Sequence, residues 1–338
     1  MNSDLSKIIF SIILSTLFTI ALFYATFILP ITISSILRRI FPDIYQWHEI
    51  PENISYLYQC AMLIGLSTFI ISIIFIVLGF IVRRTKISLI GALTLYLPVF
   101  SGFAYSMFLF AGIGVLRFIW YPLVQIMGGF AGILSTGFTV LSIPILIIIS
   151  PFVILDFLGV TQMASIIAYQ VVAMLLILIG LVILGVSIAT WLYYRLKGAI
   201  IIRRGIYKYI RHPQYLGFLI WSYSLIFIYS FIRASPFAYY PPPGLPYLII
   251  LFTIIGIALI EEKKLIEKYG DEYRDYREKA SFIIPLPKKI KDLILWIPRK
   301  IIHKDIPETR LEVVKVLVIY FIIVISISLP FDIILFSH

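Results

Sequence analysis

The chain has 338 residues, 61% of them hydrophobic and only 13% charged, with 28 Lys/Arg against 17 Asp/Glu. A soluble domain carries roughly 25% charged residues and a disordered chain lacks this much apolar surface, so the mean hydropathy of +1.03 leaves an all-α, polytopic transmembrane helical bundle. The net charge of +11 fits positive-inside loops and membrane lipids rather than nucleic acid, and the lone Cys60 with four scattered histidines offers neither a disulfide nor a metal site.

In chain order, runs free of ionisable groups cover 8–37, 56–82, 87–116, 118–155, 157–194, 214–232, 234–260 and 316–331. Since about 20 apolar residues cross a bilayer, these predict about eight spans. The first run is too long for a signal-peptide core and counts as a span. Within 118–155, Pro144 and Pro151 predict a bent or re-entrant element. Gly128 and Gly132 form one GxxxG, a weak sign of close helix approach.

Loop charge sets the orientation. Arg195, Lys197, Arg203, Arg204, Lys208 and Arg211 occur without an acid among them, which places that loop in the cytoplasm. The Pro-rich turn around Pro241-Pro242-Pro243 is then external. Residues 261–312 hold 13 Lys/Arg and 11 Asp/Glu and form the main aqueous segment, again cytoplasmic. Strict alternation puts Arg38-Arg39 inside but Arg83-Arg84-Thr85-Lys86 outside, so the N-terminal half receives no orientation. The expected organisation is an N-terminal bundle of open role (1–160), a functional core (161–287), and a basic surface segment with a final span (288–338).

Two stretches in the core carry chemistry. In the first, Gly205 to Gly217, proline suits the opening turn of a helix, so Pro213 predicts the start of a span with His212 near its cap. Free N–H groups and the positive end of the helix dipole make such a start an anion site, here flanked by Arg211. Tyr215 adds an aromatic face, and Gly217 allows close approach of a ligand or of another helix. In the second, Glu261 and Glu262 directly follow an apolar span, where an unpaired charge is expensive. They need a cationic partner, and the basic loop is on the same face. Gly270 is expected to end that helix and Asp271 to cap a short second one, with Tyr269, Tyr273 and Tyr276 lining a shelf at headgroup level.

Together these stretches resemble the integral-membrane methyltransferases related to isoprenylcysteine carboxyl methyltransferase and phospholipid N-methyltransferase. That pattern is Gly-x-Tyr-x-x-x-Arg-His-Pro-x-Tyr-x-Gly, a helical hairpin, then Glu-Glu-x-x-Leu-x-x-x-(Phe/Tyr)-Gly-x-x-Tyr-x-x-Tyr and a later Pro. Here it is Gly205, Tyr207, Arg211, His212, Pro213, Tyr215 and Gly217, followed by Glu261, Glu262, Leu265, Tyr269, Gly270, Tyr273, Tyr276 and Pro285. The sequence departs from it at Ile257-Ala258-Leu259-Ile260, where family members often carry an Arg.

The resemblance implies S-adenosylmethionine as cofactor, held by Arg211, His212, Pro213, Tyr215, Gly217, Glu261 and Glu262, with Glu262, Tyr273 and Arg274 in catalytic roles and no metal. Methyl transfer is an in-line displacement that depends on alignment and desolvation. A carboxylate acceptor needs no general base, being ionised at neutral pH, whereas an amine needs one; with no His or isolated acid as an obvious base beyond the Glu pair, an isoprenylcysteine-type carboxylate is favoured over a phospholipid amine. The spans beside the motifs are apolar and aromatic, so the expected partner is a lipophilic or prenylated acceptor entering from the bilayer. A competing resemblance is to NADPH-dependent sterol-reductase-like enzymes, which also carry Arg-His-Pro-x-Tyr but read Arg-Asp-Glu and Tyr-Gly-x-x-Trp in the second stretch. Ion-coupled transporters keep ionisable residues in their spans, and these runs hold none. A non-enzymatic scaffold stays open for residues 1–160.

Overall fold

The computed structural model describes residues 2–28, 52–82, 84–100, 135–161, 163–229 and 244–336. Among the described residues the elements are helical: α1 (Asn2–Phe27), α2 (Glu52–Ile81), α3 (Thr85–Phe100), α4 (Phe138–Phe157), α5 (Ala164–Leu196), α6 (Pro213–Tyr229), α7 (Gly244–Tyr269), α8 (Asp271–Lys279), α9 (Lys288–Ile302) and α10 (Arg310–Phe336). Helices α1, α2, α4, α5, α7 and α10 are long and apolar enough to cross a membrane, six against the eight expected. The chain is thus an all-α, multi-pass membrane protein. The expected span at 214–232 is α6, and α3 covers only the start of 87–116. Arg38-Arg39, the Gly128/Gly132 pair and the Pro-rich turn lie outside the described residues.

The chain forms two compact units. One comprises Met1–Ala25, Met174–Ser224 and Ile254–Ile319. Here α1 runs antiparallel to α5: Lys197 pairs with Asp4 at 2.8 Å, and Ser15 donates to the Gly185 carbonyl at 2.5 Å. The start of α1 therefore shares a face with the basic loop that follows α5. Small residues let α5 and α6 touch at backbone distance. A Cβ on Gly180 would stand 2.5 Å from Trp221 N, and one on Gly217 2.5 Å from Leu184 N. Gly217 thus serves a neighbouring helix, the second of the two expectations for it.

The other unit comprises Thr26–Ala173, Leu225–Thr253 and Tyr320–His338. In it α2 and α3 form a tight hairpin, with Ser88 donating to the Ile76 carbonyl at 2.8 Å. Pro144 and Pro151 lie inside one continuous helix, α4, and do not break it; the part of the 118–155 run before residue 135 lies outside the described residues. Pro151 cannot donate to the Ile147 carbonyl, but the Ser150 hydroxyl does so at 2.8 Å, which re-satisfies the freed group. Asp156, at the end of α4, accepts from Ala164 N and Ser165 N at 3.0 and 2.8 Å, capping α5.

The spans are also less free of charge than the apolar runs implied. Helix α10 continues past residue 331 and carries Asp332, buried to 1% exposure. A helix accommodates a buried acidic residue when that residue is hydrogen-bonded. Asp332 accepts from Gly137 N at 2.7 Å and Thr139 N at 2.9 Å, so it is an N-terminal cap for α4 rather than a pathway group.

Candidate functional site

All residues of the site belong to the first unit. A loop, Gly205–Lys208, tightens into a 3-10 turn, and Gly205 adopts φ +60° there, a conformation glycine takes without steric cost. The chain then runs extended beside residues 280–283. Ser281 N donates to the Tyr209 carbonyl at 2.9 Å, Arg211 N to the Ser281 carbonyl at 2.8 Å and His212 N to the Phe282 carbonyl at 3.2 Å. This short parallel pairing, centred on Ile210 and Ser281, straps the loop down just before α6 opens at Pro213.

Arg211 projects from the strap into the ends of α7 and α8. Its Nε donates to Glu262 Oε1 at 2.5 Å and its Nη2 to Oε2 at 3.3 Å. Its Nη1 donates to the Arg277 carbonyl at 2.6 Å and also to the Ala280 carbonyl. A second guanidinium and a ring nitrogen approach the same carboxylate: Arg277 Nε is 3.3 Å from Oε2, and His212 Nε2 is 3.3 Å from Oε1. Glu262 is 3% exposed, so this saturation is what makes burial of its charge tolerable. The expected cationic partner for the Glu pair exists, and it belongs to Glu262.

Glu261 faces a different neighbour. The Tyr215 hydroxyl donates to its Oε1 at 2.9 Å, and both residues are half-buried. The His212 ring stacks on Tyr215 at 5.5 Å with 9° between planes, and meets Phe282 edge-on at 5.3 Å. Arg211 also lies 5.7 Å from the Phe282 ring centre. The motif therefore separates into an ion-pair clamp of Arg211, Glu262 and Arg277 and a second group in which half-buried Tyr215 and Glu261 meet the buried His212 ring.

Helix α8 stands beside this cluster because Gly270, at φ +53°, turns the chain sharply after α7. The N-cap of α8 is Gly270 and not Asp271. Asp271 sits in the first turn, where the dipole favours it, and pairs with Arg274 at 2.9 Å on the surface. Tyr273 and Tyr276 do not line an exposed shelf. They are buried with Ala280, packed against Leu265, Ile266 and Ile201, and Tyr276 donates to the Tyr207 carbonyl at 2.5 Å. Burial pushes the Tyr276 phenol up to about 12 and also raises that of Tyr273.

Of the residues expected at the site, the structure gathers Arg211, His212, Tyr215, Glu261 and Glu262, with Pro213 at the helix start and Tyr273 in the packing beneath. It leaves two apart. Arg274 points away, 63% exposed and paired only with Asp271 among the described contacts; Gly217 is filled by the α5 backbone. The cation that was not anticipated is Arg277. Its signal is helical spacing, since a residue four after Tyr273 lies on the same helical face. Arg203 is a second addition, donating to the Glu272 carbonyl and side chain at 2.7 and 2.9 Å and so holding the start of α8.

Comparison with known proteins agrees with the motif resemblance. Residues 123–280 match the family model described as a protein of unknown function, DUF1295. A methanethiol S-methyltransferase of Bradyrhizobium diazoefficiens is 32% identical over 87 residues, 25% of this chain and 26% of that protein. The protein-S-isoprenylcysteine O-methyltransferase of Schizosaccharomyces pombe is 31% identical over 94 residues, 27% of this chain and 36% of its own length. A methanethiol S-methyltransferase of Mycobacterium tuberculosis is 31% identical over 90 residues, 25% of this chain and 30% of that protein. The chain thus spans between about a quarter and a third of the length of the curated relatives it matches. No solved structure gives a significant match.

Proposed function

We propose that residues 161–287 form the core of an S-adenosylmethionine-dependent methyltransferase that acts on a lipophilic acceptor, with its active site on the cytoplasmic side. The observation that carries this reading is the half-buried Tyr215–Glu261 pair, with the His212 ring stacked on it, beside the buried Arg211–Glu262 clamp. The donor set fits the cofactor's groups. A half-buried carboxylate suits an ammonium or ribose hydroxyls, an aromatic stack suits adenine or a sulfonium, and His212 with the first turn of α6 suits a carboxylate. When bound, S-adenosylmethionine supplies an electrophilic methyl group. The residues of the chain bind and align: Glu261 and Tyr215 orient the polar end, His212 fixes the Tyr215 ring, and Arg211, Arg277 and Glu262 hold the strap and the two helices in register. Glu262, fully engaged by these cations, is in this reading a positioning residue, and Tyr273 supports it from below.

The acceptor follows from what the cluster lacks. A carboxylate requires no base, and the cluster offers none beyond the Glu pair, of which Glu262 is engaged by Arg211 and Arg277 and Glu261 accepts from Tyr215. An isoprenylcysteine-type carboxylate is therefore the favoured acceptor, in keeping with the name of the fission-yeast relative. The names of the methanethiol relatives favour a second reading, a thiol acceptor, which must lose its proton before attack.

Titration calorimetry on the purified protein tests the cofactor. S-adenosylmethionine should bind and NADPH should not, and Glu261→Ala and His212→Ala should each weaken binding at least about tenfold, or 1.4 kcal/mol. Binding of NADPH alone would transfer the site to the reductase reading. Single-turnover assays with acceptors of rising tail length should then separate a lipophilic acceptor from a water-soluble one, since each buried CH₂ contributes about 0.8 kcal/mol.

A further inference from the structure

Helix α9, Lys288–Ile302, lies outside the stretch matched by the family model and takes no part in the cluster. It is too short and too charged to span a membrane, yet it exposes Ile290, Leu293 and Ile301 along one stripe, with Leu293 at 74%. Positions 290, 293 and 301 fall on one helical face, the i, i+3, i+11 spacing of an amphipathic segment. Lys289 and Lys300 border this stripe together with Trp296, and Lys300 sits 5.1 Å from the Trp296 ring centre. On the flank of the stripe, Pro298 is buried. An apolar stripe bordered by lysines and a tryptophan is the composition of a helix that lies in a headgroup layer.

Its placement supports the same partner. The connection from α9 to α10 is fastened at several points. Arg299 forks onto Asp305 at 2.6 and 3.2 Å. Lys304 pairs with Glu308 at 2.7 Å. Thr309 and Glu312 form a reciprocal capping box, with Glu312 N donating to Thr309 Oγ1 at 3.2 Å and Thr309 N to Glu312 Oε2 at 2.9 Å. Since α10 opens immediately there as a membrane-crossing helix, α9 is held at the level where that span meets the headgroups. Arg299 is neutralised within the protein, while Lys288, Lys289, Lys291 and Lys300 make no ion pair among the described contacts. These four face an environment best complemented by negative charge.

At its other end α9 follows the strap. Residues 281 and 282 accept the backbone N–H groups of Arg211 and His212, and only Ile283 to Pro287 intervene before α9 begins. We propose that α9 is a bilayer-surface helix which binds anionic lipid headgroups and thereby seats the strap that fixes Arg211 and His212. The proposal does not rest on what the cluster binds.

The test uses the full chain in nanodiscs of phosphatidylcholine, with or without phosphatidylglycerol. In a Cys60→Ser background, a spin label at Leu293→Cys should be more accessible to oxygen than to a polar nickel chelate, the reverse of a label at Glu278→Cys on exposed α8. Hydrogen exchange of the Arg211 and His212 amides in the unlabelled chain should slow about tenfold in the anionic discs. Replacing Lys288, Lys289, Lys291 and Lys300 with Gln should abolish that difference. A Leu293 label in water, spin–spin coupling that shows a second copy covering the stripe, or exchange equal in the two lipids would each overturn the proposal.

Discussion

Arg211 grips Glu262 with two nitrogens, at 2.5 and 3.3 Å, across 51 residues of chain, and the two side chains are only 7% and 3% exposed. The pair joins the strap before α6 to the end of α7, and through the Arg277 and Ala280 carbonyls it also joins α8. Its consequences are structural before they are catalytic.

Glu262→Ala should therefore destabilise the protein by about 3–5 kcal/mol, because it strands a buried guanidinium. Glu261→Ala, at the half-buried edge, should leave stability within about 1 kcal/mol while reducing cofactor affinity. Thermal unfolding in detergent, read beside calorimetric binding, separates the two. Equal and small stability effects at both positions would show that the clamp is not what holds the strap.

The fold was legible in the sequence where apolar runs met a length requirement, and so was the site where a cap and a charge pair had to find each other. Pro213 as helix start and a cationic partner for the Glu pair follow from local chemistry. What was not legible depended on contacts between distant segments. Nothing in the residues around Gly217 distinguishes a ligand from Leu184 of α5. The apolar runs stop at 331, yet the helix does not, because Asp332 is satisfied by N–H groups nearly two hundred positions away. Arg274 and Arg277 look equivalent in sequence until the inward face of α8 is fixed by Tyr273 and Tyr276, which leaves the first on the surface and turns the second toward Glu262.

Gly217→Ala tests the crossing of α5 and α6. The added methyl would meet Leu184 N and Cα at 2.5 and 2.8 Å, backbone atoms that cannot swing aside. Overpacking of this kind costs about 1–3 kcal/mol, and the shift should tilt α6 under His212 and Tyr215. Lower thermal stability together with weaker cofactor binding is the expected pair of results. A variant of full stability with selectively lost binding would instead make Gly217 a ligand contact.

Alkaline pH tests the packing of α8. Burial raises the Tyr276 phenol from 10.0 to about 12, so the folded state disfavours the phenolate. Stability from this group is complete below pH 10, where both states are protonated, and is lost as pH rises from there toward 12. Stability measured by denaturant at pH 9, 10 and 11 should fall less steeply for Tyr276→Phe than for the unaltered chain. The variant should start lower, having lost the hydrogen bond to the Tyr207 carbonyl. Parallel slopes would mean that the hydroxyl reaches water in the folded protein.

The last prediction concerns Asp332, in the unit that does not hold the cluster. One oxygen accepts from Thr139 N and Thr139 Oγ1 at 2.9 and 2.6 Å, the other from Gly137 N and Ser328 Oγ, both at 2.7 Å. A carboxylate has no donor of its own, so all four contacts are acceptors matched to donors. Asp332→Asn would put an NH₂ group where one pair of donors points, and Asp332→Ala would leave the first N–H groups of α4 open within the unit. Loss of an N-cap costs about 0.5–2 kcal/mol, and burial places this site toward the upper end. The Asn variant should be destabilised nearly as much as Ala, because retained shape does not restore acceptance. Hydrogen exchange at Thr139 and Val140 should rise in both variants while the amides of Arg211 and His212 keep their protection. An Asn variant as stable as the unaltered chain would show that four matched acceptor contacts are not what this cap contributes.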